Sequence, residues 1–241
     1  MEIKIFDNYN DLCVAVADEI IGLVRKKHDA ILGLATGSTP VGVYRELVKD
    51  FQAGFTSYKN VTTFNLDEYV GLGSNWEKSY RSYMDNNLFN HIDINPDCIF
   101  IPNGYNANPD LECEAYEKKI NRHQIDLQLL GIGSNGHIGF NEPGTAFDSV
   151  THLVRLDKKT RSDNSRFFNS LDEVPLLAIT MGIKNILKSK KIILMASGTG
   201  KQNAVFRMIQ GPVDNSCPAS FLREHSDTWV YLDKDAAGKL E

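Results

Sequence analysis

AILGLATGSTPVGVYRELVKDF, residues 30–51, decides the fold. Ala30 to Ala35 is an apolar run of strand length, and Thr36-Gly37-Ser38-Thr39 after it has the small residues of a tight loop. Pro40 then stands where a first helical residue can do without its N–H, and Val43, Leu47 and Phe51 recur at helical spacing. Strand, loop and helix in that order form half of a βαβ unit. The loop's N–H groups lie at a helix N-terminus, where the macrodipole favours an anion.

The same grammar extends outward in both directions. Upstream, Ile3 to Phe6 is a short apolar run, Asp7 to Asn10 offers capping side chains, and Leu12, Val16, Ile20, Leu23 and Val24 predict an amphipathic helix to about Lys27. Downstream, Val61 to Leu66 predicts a strand that delivers Asp67 and Glu68; residues 71–75 read as loop, and Glu77 to Leu88 as helix. Cys98 to Ile101 is a short strand, Pro109 to Arg122 a charged, exposed helix, and Ile125 to Ile132 a buried strand running into LGIGSNGHIGFNEPG, residues 130–144. Thr145 to Asn169 is polar with broken periodicity, which predicts a lid over about 145–170. In the closing third, Leu176 to Met181, Lys191 to Ala196 and Thr228 to Leu232 predict strands, Ile183 to Leu187 a short helix, and SGTGK (197–201) a loop before a helix to Gln210; residues 233–241 read as a frayed tail. Strands alternating with helices, with no linker, predict one α/β domain over 1–241 built on a mostly parallel sheet covered on both faces.

Composition narrows the partners. With 42% apolar and 24% charged residues the chain has the make-up of a globular protein, and a net charge of −5 without a basic run argues against nucleic acid and acidic membrane surfaces. Cys13, Cys98, Cys113 and Cys217 lack metal or disulfide spacing, so free thiols in a reducing compartment are expected. No secretory signal or apolar run of about 18 residues occurs, which predicts a cytoplasmic protein.

Three strands thus end in Gly-bearing loops (36–39, 131–136, 197–200) and a fourth ends in Asp67. In a parallel sheet these ends share one edge, the edge where ligands bind. SGTGK fails as a nucleotide-binding P-loop, since Gln202 and Met195 stand where that motif needs Ser or Thr and Gly; neither other loop carries the dinucleotide fingerprint. A smaller anion remains, and Gly37, Ser38 and Thr39 with the Lys201 ammonium suit one phosphate monoester. A loop histidine alone is more often a solvated bystander. Beside a carboxylate it differs: Glu142 can orient His137, Asn135 can position it, and Asp67, if not merely a cap, can take a proton next to a carbonyl or imine. The residues therefore describe an α/β enzyme acting on a phosphorylated metabolite by carboxylate and histidine acid–base chemistry.

GLATGSTPVGVY (33–44), TFNLDEYVGL (63–72), LGIGSNGHIGFNEPG (130–144), NSRFF (164–168) and SGTGKQNAV (197–205) together resemble the glucosamine-6-phosphate deaminase family, in order and over nearly the whole chain. The resemblance implies a Rossmann-like, doubly wound α/β fold. It implies amino-sugar catabolism, in which glucosamine 6-phosphate and water become fructose 6-phosphate and ammonia with neither metal nor organic cofactor. Carried over by position, His137 opens the sugar ring with Glu142 and Asn135 setting its charge and orientation, Asp67 moves the C2 proton to C1, and Gly37, Ser38, Thr39, Lys201 and Arg166 from the lid bind phosphate. Two departures matter. Regulated hexameric members carry Asp at the position of Asn135, and basic residues near the places held here by His152 and Val154; with a shorter C-terminus, this implies no such activation and a monomer or low-order homo-oligomer. The rival readings are a 6-phosphogluconolactonase-like hydrolase, which needs no enolising Asp, and a non-enzymatic sugar-phosphate sensor, which would leave the acid–base set idle.

Overall fold

In the computed structural model, which describes residues 1–240, β1 (Glu2–Phe6) leads to Asn8, whose side chain accepts the Asp11 N–H at 3.0 Å and so caps α1 (Tyr9–Lys26). The deciding stretch folds as β2 (Ile31–Leu34) and α2 (Val41–Gln52), with Pro40 as the capping residue one position before the first turn. There follow β3 (Thr62–Asn65), β4 (Asp67–Val70), α3 (Tyr80–Asn87), β5 (Ile99–Phe100), α4 (Pro109–Ile120) and β6 (Leu127–Leu130). The remainder is β7 (His152–Arg155), α5 (Lys158–Asn164), β8 (Leu177–Thr180), α6 (Ile183–Leu187), β9 (Lys191–Ala196), α7 (Gln202–Gln210), β10 (Thr228–Asp233) and α8 (Lys234–Ala237).

Seven strands form one sheet in the order β1-β10-β9-β6-β2-β3-β5, and every pairing is parallel. The chain winds outward from β2 through β3 to β5, then returns to lay β6 on the other side of β2. That reversal opens a crevice between the carboxyl ends of β2 and β6. Leu12, Val16 and Ile20 of α1 pack with Leu47 of α2 in one core, while Tyr116 of α4, Ile186 of α6 and Val205 and Met208 of α7 belong to a second, so the sheet is covered on both faces. α4 is therefore less exposed than its charge suggests, burying Cys113, Tyr116 and Ile120. No described helix is long and apolar enough to cross a membrane.

Four expectations need correction. First, Asp67 is not a loop residue: it opens β4, which joins β8 and β7 in a separate antiparallel sheet, Asp67 pairing with Thr180 and Thr180 with His152. The strand expected at 176–181 thus forms outside the main sheet. The chain passes between sheets at Leu66, whose N–H bonds to Leu34 O (3.2 Å) and whose carbonyl accepts the Met181 N–H (2.7 Å). Second, the polar stretch 145–169 contains β7 and α5 rather than unbroken loop. Third, the helix expected from Glu77 begins later, at Tyr80, where the Ser79 side chain accepts the Ser82 N–H at 3.1 Å and caps α3. Fourth, the expected tail contains α8, held because Asp233 accepts the Ala236 N–H at 2.7 Å; Glu241 lies outside the described residues.

Candidate active site

Gly37 has φ +92°, a left-handed conformation in which a side chain would be strained. Its carbonyl accepts from Tyr83 Oη at 2.6 Å and that of Thr39 from Tyr9 Oη at 2.9 Å, so tyrosine hydroxyls occupy the loop's carbonyls. Ser38 Oγ accepts from the Arg166 guanidinium at 2.9 Å, and that guanidinium lies 4.7 Å from the Phe167 ring. Across the crevice the Lys201 ammonium donates to Ile132 O at 2.8 Å. Burial pushes its pKa down, an effect that the charge of Asp163 opposes. Gly37, Ser38, Thr39, Arg166 and Lys201 all line one crevice, with Asp67 and His137 in the same wall. Two cations beside a helix N-terminal loop give that end a positive field of the kind that attracts an anion.

Asp67 is 5% exposed, and no hydrogen bond to its carboxyl is found among the described residues. Burial foremost, and then the neighbouring Glu68 charge, hold its pKa well above the usual carboxylate range. Glu68 points to the other face of the strand. There it accepts the N–H groups of Tyr69 (2.8 Å), Tyr80 (2.9 Å) and Arg81 (2.9 Å), tying β4 to the first turn of α3. Burial raises its pKa to about 7 against these three bonds.

A Cβ on Gly133 would sit 2.2 Å from His137 Cε1, so only glycine lets the imidazole lie there. His137 Nδ1 is 3.5 Å from Glu142 Oε2 and 3.3 Å from Thr160 Oγ1. Glu142 also accepts from Asn135 Nδ2 (2.9 Å) and from the Asp157 N–H (3.2 Å). Burial alone would raise the Glu142 pKa; hydrogen bonding and charge from His137, with Thr160 and Asn135 donating, bring it below the ordinary value. Asn135 Oδ1 accepts the His137 backbone N–H at 3.2 Å. Its amide thus braces the backbone and Glu142, and neither contact requires it to ionise. Glu142 and Asn135 stand behind the imidazole and do not line the crevice.

All nine residues expected from sequence gather at this one sheet edge. Others were not foreseen: Thr36, Tyr80, Ser134, Phe140, Asp163 and Asn164 also line the crevice. Tyr80 belongs to an aromatic stack with Tyr69 (centroids 4.8 Å) and Phe140 (5.8 Å), which no short motif announces. Asn164 and Ser134 lie in NSRFF and LGIGSNGHIGFNEPG, close to Arg166 and Asn135, with no local feature that sets them apart. Among the described residues no three His, Cys, Asp or Glu side chains cluster to ligate a metal.

A family model described as glucosamine-6-phosphate isomerases/6-phosphogluconolactonase matches residues 7–231. A glucosamine-6-phosphate deaminase of Clostridium novyi (strain NT) is 51% identical over 241 residues, spanning all of both chains. One from Clostridium botulinum (strain Langeland) is 50% identical over 242 residues, covering 100% of this chain and 99% of its own. Among solved structures, a monomeric glucosamine-6-phosphate deaminase superposes with a TM-score of 0.97 at 46% identity over 99% of each chain. The 6-phosphogluconolactonase of Trypanosoma brucei superposes at 0.80 with 20% identity, over 100% of this chain and 98% of its own, and shares the fold.

Proposed function

The chain belongs to the glucosamine-6-phosphate isomerase/6-phosphogluconolactonase family, and on that premise we propose how its crevice works as a glucosamine-6-phosphate deaminase site. The enzyme converts glucosamine 6-phosphate and water to fructose 6-phosphate and ammonia. Phosphate is anchored by the 37–39 loop, Arg166 and Lys201, which leaves the sugar directed along the crevice towards Asp67 and His137. His137, with Glu142 against Nδ1, takes the O1 proton and returns a proton to the ring oxygen, opening the pyranose to the aldehyde. Asp67 then removes the C2 proton while O1 takes a proton from the adjacent C2 ammonium, giving an enolamine with its hydroxyl on C1 and its neutral amine on C2. Returning that proton to C1 makes the C2 imine. Water adds to C2, ammonia leaves, and the ketose remains.

What carries this assignment is Asp67, a buried carboxyl facing the crevice without a donor among the described residues to satisfy it. A carboxylate kept basic by burial suits abstraction from carbon, whereas lactone hydrolysis moves no carbon-bound proton. Asp67→Asn is expected to bind substrate normally, to cut ammonia release by about 10²- to 10⁴-fold, and to abolish exchange of the C2 hydrogen with deuterated water. Wild-type ammonia production by this variant would sink the assignment. Lactonase activity with no release of ammonia would favour the hydrolase instead.

The monomeric relative, matched over 99% of both chains, supports reading this enzyme as a monomer. Light scattering at the mass of one chain checks it, and a hexamer's mass would overturn it. Its four free cysteines, three of them buried, suit the reducing cytoplasm.

A further inference from the structure

α5 supplies little apolar packing: its one buried residue is Thr160, 1% exposed. Polar tethers hold it instead, and they reach every working part of the crevice. Asp163 accepts from Ser134 of the loop after β6, Asn164 donates to Tyr69 Oη of β4 at 3.0 Å, and Arg166, just past the helix, reaches Ser38. At the other end the Asp157 N–H, at the cap of α5, donates to Glu142. Thr160 lies between these tethers, with its hydroxyl at the imidazole.

We propose that Thr160 is a positioning residue for ring opening, its hydroxyl linking His137 Nδ1 to Glu142 so that the helix delivering Arg166 to phosphate also orients the imidazole. This rests on His137 being the ring-opening acid–base group. Nδ1 stands 3.5 Å from the Glu142 carboxylate and 3.3 Å from Thr160 Oγ1, so both contacts are long and the hydroxyl is the nearer partner. A hydroxyl can serve both neighbours at once, accepting the Nδ1 proton and donating its own to the carboxylate. The ring is thereby held as the Nδ1–H tautomer. Nε2 keeps its lone pair for the sugar hydroxyl. The carboxylate alone leaves the ring one loose contact; the hydroxyl on the tethered helix gives Nδ1 a second partner from another direction. Contacts of this kind are often long before substrate binds and tighten in the complex. A small inward shift of α5, drawn by Arg166 on phosphate, would shorten the Thr160 contact in the same motion.

Asn135 gives the link its purpose. Its amide is engaged with Glu142 and the His137 backbone, so it offers the ring no charge. Thr160 is then the remaining side chain bonded to Nδ1 besides Glu142.

Thr160→Val keeps the shape of the side chain and removes the hydroxyl, while Thr160→Ser keeps the hydroxyl. The valine variant should lose about 10- to 100-fold in kcat, by analogy with the loss when the outer hydrogen-bond partner of a metal-ligating histidine is removed, with KM for glucosamine 6-phosphate within about twofold. The serine variant should recover most of the rate. Nitrogen-15 NMR of His137 should show neutral imidazole as the Nδ1–H tautomer in the native enzyme and a mixture in the valine variant. Should valine disturb the helix, the Thr160→Ala and Thr160→Ser pair gives the same contrast. Unchanged kcat and tautomer in the valine variant, or a raised KM alone, would overturn the role of Thr160. A His137→Gln control separates the two levels: if it is inactive while the valine variant is normal, only the Thr160 link fails. If it is fully active, the ring-opening assignment itself falls.

Discussion

Asp67 and Glu68 are adjacent buried carboxyls placed in opposite situations. Glu68 turns into a helix start and meets three N–H donors, whereas Asp67 turns into the crevice and meets none among the described residues. Because burial and the Glu68 charge raise the Asp67 pKa on folding, the native state holds that proton more tightly than the unfolded chain does. Protonation therefore stabilises the fold, and that stability drains away as pH rises through the elevated native value. Asp67→Asn mimics the protonated form and should raise stability at pH 8 by about 1–2 kcal/mol. As pH falls below the native pKa of Asp67, the difference should shrink. Paired thermal melts at several pH values measure this; a variant no more stable than the native enzyme at pH 8 would show that Asp67 carries no such strain. Turnover should follow the opposite course, failing on the acid side as the base becomes protonated.

Elements held by apolar packing were legible, and those held by polar or distant contacts were not. Ile192 to Ala196 is an unbroken apolar run within β9, and Ile183, Ile186 and Leu187 mark the apolar face of α6, and both elements form with the ends expected. β4 carries two acids in four residues, and its partner β8 lies more than a hundred positions away, so its pairing is a tertiary fact beyond local propensity. α5, with the sequence KKTRSDN, offers no hydrophobic periodicity to read. Within the site the same division holds. Asp67, His137 and Lys201 stood out because each follows a strand or a glycine-bearing loop. Thr160, Tyr80 and Asp163 have no such local mark: one is placed by a lid helix, one by an aromatic stack, and one by a serine on another loop.

At the scale of the molecule, two sheets share the work. The parallel sheet presents the 36–39 loop and the histidine loop, and the small antiparallel sheet carries Asp67, the proposed base, with α5 following its strand β7. The family resemblance covered the first arrangement, while the second sheet came only with the structure. The passage at Leu66 joins them with no slack. Leu34 and Asn65 are register partners on neighbouring strands; Thr36 begins the phosphate loop two residues beyond one, and Asp67 lies two residues beyond the other. The separation between anchor and base is thus set by the spacing of paired strands, about 4.8 Å per step, and by a single connecting residue that is itself hydrogen-bonded on both sides. On the proposed roles of the 36–39 loop and Asp67, such a spacing would work as a ruler: it would measure the carbons between the phosphate and the proton to be moved, and admit one length. A five-carbon 2-amino sugar 5-phosphate keeps the phosphate and the amine but is one carbon short. It should bind competitively with an inhibition constant near the KM of the natural substrate, yet release ammonia about 10²-fold or more slowly. Equal turnover of the two sugars would mean that the frame yields, and that chain length is sensed elsewhere.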